Sequence, residues 1–287
     1  MKFAVVGGDR RSALLCALLY ADGHKVRSYA LEKAELPAEI PRCTCLQSCL
    51  YGADCVVLPL PAERGGMVHA PLAAEPLGME TLTGALWRGQ VLCGGGLSER
   101  TRIDALNAGV RVEDILHRKA FTVGNAAITA EGALERMMAL SPSTLWRSRV
   151  LVTGWGRIAK LLSLRLRSLG AKVTIAARRD GDRAMAQALG MEAVDYPSLP
   201  DVLGQFRFIV NTVPARVFTR EMLCCIEPDA LLAELASPPG GFDRSEAENL
   251  GLNAHVLPGL PGQCAPLTAA ELIRDAVYDA AAEQPQV

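Results

Sequence analysis

Short apolar runs alternate with amphipathic stretches along most of the 287-residue chain. Residues 3–6 and 150–153 are two of the apolar runs, and their length and β-branched content are typical of buried strands. The stretches between such runs, for example residues 157–169, carry apolar side chains at helical spacing and place arginine and lysine on other faces. Strands that alternate with helices in this way predict α/β domains built on parallel sheets.

The order of these elements predicts two Rossmann-like, doubly wound domains linked by crossing helices. We expect residues 1–124 to form the first α/β domain and residues 125–264 to form a six-stranded Rossmann domain. Residues 121–125 are expected to be irregular, so the first crossing helix should span residues 126–140. The last helix, within residues 265–287, should return to complete the first domain.

The most specific motif follows the strand at residues 150–153. Residues 154–159 form a G-x-G-x-x-A turn between that strand and a helix, and a second strand covers residues 173–177. In dinucleotide-binding folds the first glycine permits the tight turn, and the second lets the backbone approach a pyrophosphate. The first turn of the helix adds free amides and its positive dipole end. The residues expected to bind the cofactor here are Gly154, Trp155, Gly156, Arg157 and Ile158.

The end of the second strand indicates which dinucleotide is bound. NAD enzymes usually place Asp or Glu there to bind the ribose 2′-hydroxyl. In this chain the position falls near Ala177, and Arg178 and Arg179 follow it. Two guanidinium groups suit the 2′-phosphate of NADP, so we predict NADP as the cofactor. The nicotinamide-side ribose should meet the segment after a further strand, namely Asn211, Thr212, Val213 and Pro214.

Composition narrows the classes of function. The net charge of −1 gives no reason to expect a nucleic acid or an acidic membrane as partner. No apolar run approaches the ~20 residues of a membrane-spanning helix, and the first residues lack a signal-peptide layout, so we expect a cytoplasmic protein. The nine cysteines are an odd, dispersed set without the spacing of a zinc site. We therefore expect reduced thiols and no metal.

Several segments resemble those of a known family. They are residues 5–10, Asn125 with residues 129–132, and residues 154–157, 211–214, 236–243 and 258–266. These segments span almost the whole chain in the right order, and the last two are long enough to be fairly specific. The chain resembles the dipicolinate synthase A-subunit family of spore-forming Firmicutes, which is related in layout to formate/glycerate-type dehydrogenases. One departure is Ala127-Ile128-Thr129, where the family carries Ile-Pro-Thr.

This resemblance implies a reaction and a partner. The implied reaction, in spore formation, is oxidation of dihydrodipicolinate to dipicolinate (pyridine-2,6-dicarboxylate), with hydride transfer to NADP. The implied partner is the second dipicolinate synthase subunit, the B-subunit, and a homo-oligomer is left open. Forming an aromatic ring is strongly favourable, so the protein need not supply a powerful base. No histidine follows the last Rossmann strand, where 2-hydroxyacid dehydrogenases carry their acid/base, so lactate-like chemistry is disfavoured.

A planar dicarboxylate substrate needs cationic or amide partners. Arg10 and Arg11 follow the first strand and would suit a carboxylate, although an ordinary strand–helix turn explains them equally well. Ser237, Gly240 and Gly241 should offer a hydroxyl and exposed amides. The remaining expected substrate contacts are Asn125 and Thr129.

The predicted catalytic residues are Ser237 and Glu131. Glu131 lies near the expected start of the crossing helix, where it could accept the departing proton or simply cap the helix.

Two other functions remain open at this stage. The chain could be a different NADP-dependent dehydrogenase of the same architecture, but no lysine of the first domain lies in a recognisable active-site motif. It could also be a non-catalytic NADP-binding subunit whose partner carries the chemistry. We favour the enzyme because a cofactor turn and substrate-type loops occur on one chain.

Overall fold

A computed structural model describes residues 1–283. The chain forms two compact units: the first contains Met1–Asn125 and the segment from Ala265 onward, and the second contains Ala126–Cys264. Both units are α/β structures with parallel sheets, which confirms the predicted fold class. The part of the expected C-terminal helix beyond Glu283 lies outside the described residues.

The first unit is built on five parallel strands in the order β2-β1-β3-β6-β7. Its strands, including a small antiparallel hairpin formed by β4 and β5, are β1 Lys2–Val6, β2 Lys25–Tyr29, β3 Cys55–Val57, β4 Glu63–Arg64, β5 Met67–Val68, β6 Val91–Gly94 and β7 Arg111–Asp114. The central strands β1, β3 and β6 bury apolar side chains on both faces because helices cover both sides. The helices before the unit boundary are α1 Arg10–Ala21, α2 Leu46–Leu50, α3 Met79–Gly84 and α4 Glu99–Asn107, with a 3₁₀ turn at Ile115–His117. Helix α5 Lys119–Leu140 begins in this unit and continues into the second.

The second unit is built on six parallel strands in the order β10-β9-β8-β11-β12-β13. The strands are β8 Arg149–Thr153, β9 Lys172–Ala176, β10 Glu192–Val194, β11 Phe208–Asn211, β12 Leu231–Glu234 and β13 Asn253–Val256. The helices are α6 Arg157–Ser168, α7 Asp180–Ala188, α8 Arg220–Leu223, α9 Arg244–Asn249 and α10 Leu260–Cys264, with a 3₁₀ turn at Leu203–Gln205. The chain reverses its direction across the sheet between β8 and β11, and ligands of open α/β sheets bind at such a switch point.

Helix α5 begins earlier than predicted. Residues 121–125, expected to be irregular, are helical and continue without a break into residues 126–140. Gly124 is tolerated inside the helix because the side chain of Leu272 packs against it; a Cβ at Gly124 would lie 2.8 Å from Leu272 Cδ1. Packing on a distant segment therefore overrides the weak helix propensity of this stretch.

The last helix, α11 Pro266–Ala282, belongs to the core of the first unit. Its buried face, which includes Ile273 and Val277, packs with α1 and the sheet. Tyr278 Oη donates a hydrogen bond to Asp22 Oδ2 at 2.7 Å, which fixes the helix beside the end of α1. Within residues 1–283, none of the helices combines the length and the apolar character needed to cross a membrane.

Candidate active site

A groove of about 510 Å³ opens at the carboxyl edge of the sheet in the second unit. Three segments that follow strands β8, β9 and β11 form most of its wall. The lining residues used below are Gly154, Trp155, Arg178, Arg179, Tyr196, Val213 and Arg216. The groove thus lies beside the switch point of the sheet, where the glycine turn was predicted to bind a dinucleotide.

The glycine turn has the backbone geometry that this prediction requires. Gly154 has a φ of +91°, and a Cβ there would lie 2.8 Å from both Thr212 Oγ1 and Val213 Cγ2. Gly156 is the N-cap of α6, and a Cβ at this residue would meet no atom of the described chain within 4 Å. The space in front of the start of α6 is therefore unobstructed at Gly156, and a helix start with such open space can receive a phosphate. Trp155 is only 8% exposed, so its side chain packs in the core.

The end of β9 presents arginines to the groove. Arg178 and Arg179 are exposed, and within residues 1–283 neither forms a salt bridge. Arg183 Nη1 donates to the carbonyl oxygens of Ala177 and Arg178 at 2.9 Å, which fixes the strand end. Burial raises the pKa of Tyr196, and the charge of nearby Arg178 opposes that shift. The wall also contains an acidic group, the carboxylate of Asp182 in the first turn of α7.

The segment after β11 is held by a buried polar network. The side chain of Asn211 is fully buried and accepts a hydrogen bond from Thr153 Oγ1 at 2.5 Å. Its Oδ1 also accepts from the amide of Val213 at 3.2 Å, and its Nδ2 donates to the Val213 carbonyl at 2.9 Å. Thr212 Oγ1 donates to the Thr153 carbonyl at 2.7 Å. Asn211 and Thr212 thus shape the turn that brings Val213 into the groove wall.

A buried carboxylate that we did not predict extends this network. Glu234 ends strand β12, is 4% exposed, and accepts from Asn211 Nδ2 at 2.7 Å. It also accepts from the amides of Ala236 at 2.8 Å and Gly241 at 2.6 Å. Burial raises the pKa of Glu234, and these three hydrogen bonds lower it again, leaving a net upward shift. A charged residue that ends an apolar strand and precedes small residues and Gly-Gly is the sequence signal that could have identified it.

The expectation of exposed amides at Gly240 and Gly241 is wrong. The Gly241 amide donates to Glu234, and the Gly240 amide donates to the Ser237 carbonyl at 3.1 Å. Both glycines are buried, whereas Ser237 is exposed. In the described part of the chain the Ser237 hydroxyl makes no hydrogen bond, so it is the polar group of this loop that faces outward.

The turn of the first unit also differs from its prediction. Helix α1 begins at Arg10, and the Asp9 carboxylate caps it by accepting from the amide of Arg11 at 2.9 Å. Arg11 is 8% exposed, and its Nη2 donates to Asp9 Oδ2 at 2.8 Å and to the Leu60 carbonyl at 2.5 Å. The anion at this helix terminus is therefore the protein's own carboxylate, and Arg11 is not available to a ligand in this arrangement. Arg10 is exposed and, within residues 1–283, forms no salt bridge.

Thr129 and Glu131 do not lie at a helix start. Both are in the middle of α5, whose amides are already bonded within the helix, so the expectation that Glu131 lies near the start of the crossing helix is wrong. Thr129 is buried, Asn125 is half-buried, and Glu131 is exposed. Glu131 Oε1 accepts from Arg165 Nη2 at 3.1 Å. Arg165 lies eight residues beyond Arg157, about 12 Å along α6 from the glycine turn. This pairing does not favour Glu131 as a proton acceptor at the groove.

Comparison with known proteins shows which family the chain resembles. Residues 2–116 match the family described as the N-terminal domain of the dipicolinate synthase A-subunit. The dipicolinate synthase A-subunit of Bacillus subtilis (strain 168) is 26% identical over 99% of this chain and 96% of its own length. The crystal structure of the dipicolinate synthase A-subunit from Bacillus halodurans superposes with a TM-score of 0.88 at 24% identity, covering 99% of this chain and 98% of that one. Over nearly its whole length, the chain is similar to dipicolinate synthase A-subunits.

The second unit is similar to the cofactor domain of dehydrogenases. Residues 116–227 match the NAD binding domain of the D-isomer specific 2-hydroxyacid dehydrogenases. The structure of D-lactate dehydrogenase from Escherichia coli has the same fold, with a TM-score of 0.66 at 14% identity, covering 97% of this chain and 95% of that one. The matched range includes the glycine turn, Arg178 and Asn211. The groove therefore belongs to a nicotinamide-dinucleotide-binding domain.

Five of the predicted cofactor residues line one groove of the second unit. The predicted substrate residues do not form one group within either unit. Gly154, Trp155, Arg178, Arg179 and Val213 line one groove. Arg10 and Arg11 belong to the first unit, whereas Ser237 and Glu131 belong to the second. Sequence reasoning missed the groove-lining residues Tyr196 and Arg216 because neither lies in a recognised motif.

Proposed function

We propose that this chain oxidises dihydrodipicolinate to dipicolinate, passing the hydride to NADP, in spore formation. The observation that carries the proposal is a dipicolinate synthase family match joined to a dinucleotide groove lined by two arginines without a salt bridge in residues 1–283. The relatives are named as subunits, so we also propose that the chain acts with a second subunit.

The groove fits a nicotinamide dinucleotide. The open space at Gly156 suits the pyrophosphate, which would meet the first amides of α6. Arg178 and Arg179 suit a 2′-phosphate, which is why we propose NADP over NAD. When bound, the cofactor supplies the hydride acceptor. The turn after Asn211 would then orient the nicotinamide-side ribose.

The proposed substrate contacts come from the sequence, and the exposure of their side chains in the structure indicates which of them are accessible to a ligand. Arg10 has the exposed guanidinium that a carboxylate needs, and Ser237 has an exposed hydroxyl. Asn125 and Thr129 stay proposed contacts, and Glu131 stays a proposed proton acceptor despite its pairing with Arg165. One hydride leaves to the cofactor and one proton leaves to solvent or to such an acceptor. Because aromatisation drives the reaction, a weak acceptor suffices.

The test is turnover by the purified chain. Freshly prepared dihydrodipicolinate and NADP are mixed with the chain alone, and the absorbance of reduced cofactor is followed. Reduction of NADP with formation of dipicolinate supports the proposal. A signal that appears only after the second subunit is added supports a chain that needs its partner for chemistry. Absence of turnover in both mixtures would reject the proposed reaction.

A substrate-side test uses dipicolinate binding. The Arg10→Ala variant should bind dipicolinate about tenfold more weakly, because a charge-assisted hydrogen bond is lost. Lys33→Ala, an exposed cation of the same unit, is the matched control and should leave the affinity unchanged. Equal affinity in wild type and the Arg10→Ala variant would remove Arg10 from the substrate site.

A further inference from the structure

Glu234 is a buried carboxyl group for which the proposed hydride transfer has no direct use. It ends a strand whose other residues, Leu231–Ala233, are apolar and buried. An ionised carboxylate is expensive to bury unless its oxygens are hydrogen-bonded. The structure meets that requirement with three donors, so the position of the carboxylate is closely defined.

The three donors come from two segments, namely the end of β11 and the loop that follows β12. Oε1 accepts from Asn211 Nδ2 and from the Ala236 amide, and Oε2 accepts from the Gly241 amide. Asn211 in turn controls the turn that places Val213 in the groove. The loop from Ala236 to Gly241 carries the exposed Ser237. One carboxylate therefore joins the cofactor-side turn to the loop that carries the proposed substrate hydroxyl.

The two glycines of this loop fit the same arrangement. Gly240 has a φ of +74°, and a Cβ there would lie 3.0 Å from Glu234 Oε2. A Cβ at Gly241 would lie 2.4 Å from Asn211 Nδ2, which no side chain could tolerate without displacement. The glycines thus allow the loop backbone to lie directly on the Glu234–Asn211 pair. This packing, and not anion binding, accounts for Gly-Gly at this place.

We propose that Glu234 is a positioning residue that fixes the Asn211 turn and the Ser237 loop in one geometry required for cofactor binding and hydride transfer. Its kinetic consequence rests on the proposed function, but its structural and cofactor-binding consequences do not. The role differs from general stabilisation because it predicts a coupled change in two loops that are separated in the sequence.

The Glu234→Gln variant tests this role with little change of shape. A glutamine offers one oxygen and one NH₂ group, so at least one protein donor must face another donor whichever way the amide is turned. We expect amide hydrogen exchange in the full-length chain to accelerate at both residues 211–214 and residues 236–241. We also expect the Kd for NADPH to rise about tenfold and kcat/KM to fall about 10–100-fold, as for other small displacements of reacting groups.

Two further variants and a control keep the test decisive. Glu234→Asp retains the carboxylate and should recover part of the lost affinity, which would not be expected if only volume mattered. Gly241→Ala displaces the loop from the opposite side and should accelerate exchange in the same two segments, so it serves if the glutamine variant does not fold. Glu227→Gln, an exposed carboxylate of the same unit, is the control and should change none of these quantities.

The outcomes separate this proposal from the proposed function. Faster exchange in both segments together with weaker NADPH binding supports the positioning role. A lower thermal midpoint with unchanged exchange in residues 211–214 and unchanged NADPH binding would show a purely structural carboxylate and overturn the proposal. If wild type binds neither NADPH nor NADH, the proposed function fails, and coupled exchange in the two segments still decides whether Glu234 joins them.

Discussion

Gly154 and Gly156 lie two residues apart but answer different physical demands. Gly154 adopts a left-handed backbone conformation and packs against Thr212 and Val213, so its lack of a side chain serves the fold. Gly156 has an ordinary φ of −79° and borders open space, so we propose that its lack of a side chain serves the ligand. Glycine thus has a structural role at position 154 and a proposed binding role at position 156.

The two glycines can be separated by substitution. Gly154→Ala should lower the free energy of unfolding by about 1–3 kcal/mol because of the strained φ, and should also disturb the groove. Gly156→Ala should lower the free energy of unfolding by less than about 1 kcal/mol. It should nevertheless weaken NADPH binding at least as much as Gly154→Ala does, because the new methyl group occupies the ligand's space. Thermal unfolding and fluorescence titration measure the two quantities. A destabilised Gly156→Ala variant with normal affinity would contradict this assignment.

Arg178 and Arg179 should decide between the two cofactors. Replacing both by alanine removes charge-assisted hydrogen bonds to a 2′-phosphate, so the Kd for NADP should rise about 10–100-fold. The Kd for NAD should change by less than about threefold, because its ribose carries no phosphate. Arg244→Ala, on the surface of the same unit, is the control. Equal losses for NAD and NADP would argue against the 2′-phosphate role.

Sequence reasoning found residues whose type alone carries information, and missed those whose role depends on their surroundings. The glycine turn and the arginine pair are local patterns with a known chemistry. Glu234 was missed because a glutamate at a strand end is ordinarily exposed, and only the three-dimensional approach of Asn211 and Gly241 makes it a buried acceptor. Arg11 was overrated because the sequence does not show that Asp9 neutralises it.

At the scale of single elements, the start of α1 shows how a helix terminus can be filled by its own chain. The Asp9 carboxylate caps the helix and pairs with the buried guanidinium of Arg11. Burial raises the pKa of Asp9, but the hydrogen bonds and charge of Arg11 lower it by more than burial raises it, so the net shift is downward. The capping and the ion pair therefore stabilise the first unit in the ionised state of Asp9.

The pH dependence of this stabilisation follows from the downward direction of the Asp9 pKa shift. Because the folded-state pKa of Asp9 is below its unfolded value of 3.8, the stabilisation is complete above about pH 5 and is lost as the pH falls through the folded pKa. Asp9→Asn keeps a good N-cap but removes the charge, so it should cost about 3 kcal/mol near pH 7 by leaving Arg11 unpaired. Denaturant unfolding at pH 7 and pH 3 should show a smaller difference at pH 3. A difference in the free energy of unfolding between wild type and Asp9→Asn that is independent of pH would exclude the ion pair. Asp201→Asn, at an exposed residue, is the control.

Helix α5 illustrates why element boundaries were less predictable than element types. Residues 121–125 contain β-branched side chains and Gly124, so local propensity disfavours a helix. The structure is helical there because Leu272 of α11 packs on Gly124 and Phe121 is buried in the core of the first unit. Information from nearly 150 residues away was needed, and no local pattern contains it.

For the whole molecule, alternation of strands and helices was sufficient to predict two parallel α/β units. This worked because the connection between parallel strands is nearly always a helix, so the order of elements restricts the topology. The alternation gave no information on which side-chain contacts would form between elements far apart in the sequence. These contacts determine the availability of Arg11, the pairing of Glu131 and the burial of Glu234.

The last helix should influence the first unit selectively. Ile273 is 4% exposed in the core of that unit, so Ile273→Ala should lower its free energy of unfolding by about 2–4 kcal/mol. Leu267→Ala, at a residue that is 50% exposed in the same helix, is the control and should have little effect. The Kd for NADPH should stay unchanged in both variants, because the groove belongs to the second unit. Equal destabilisation by the two substitutions would contradict the burial pattern.

The return of α11 to the first unit has a consequence for the order in which the two units fold during synthesis on the ribosome. Domains usually fold in the order in which they are synthesised. Here the second unit ends at Cys264, so its whole sequence is available before the helix that completes the first unit has been made. The first unit therefore finishes folding last. Until α11 has been synthesised, the apolar surfaces of α1 and of the first sheet that pack against it stay uncovered by that helix.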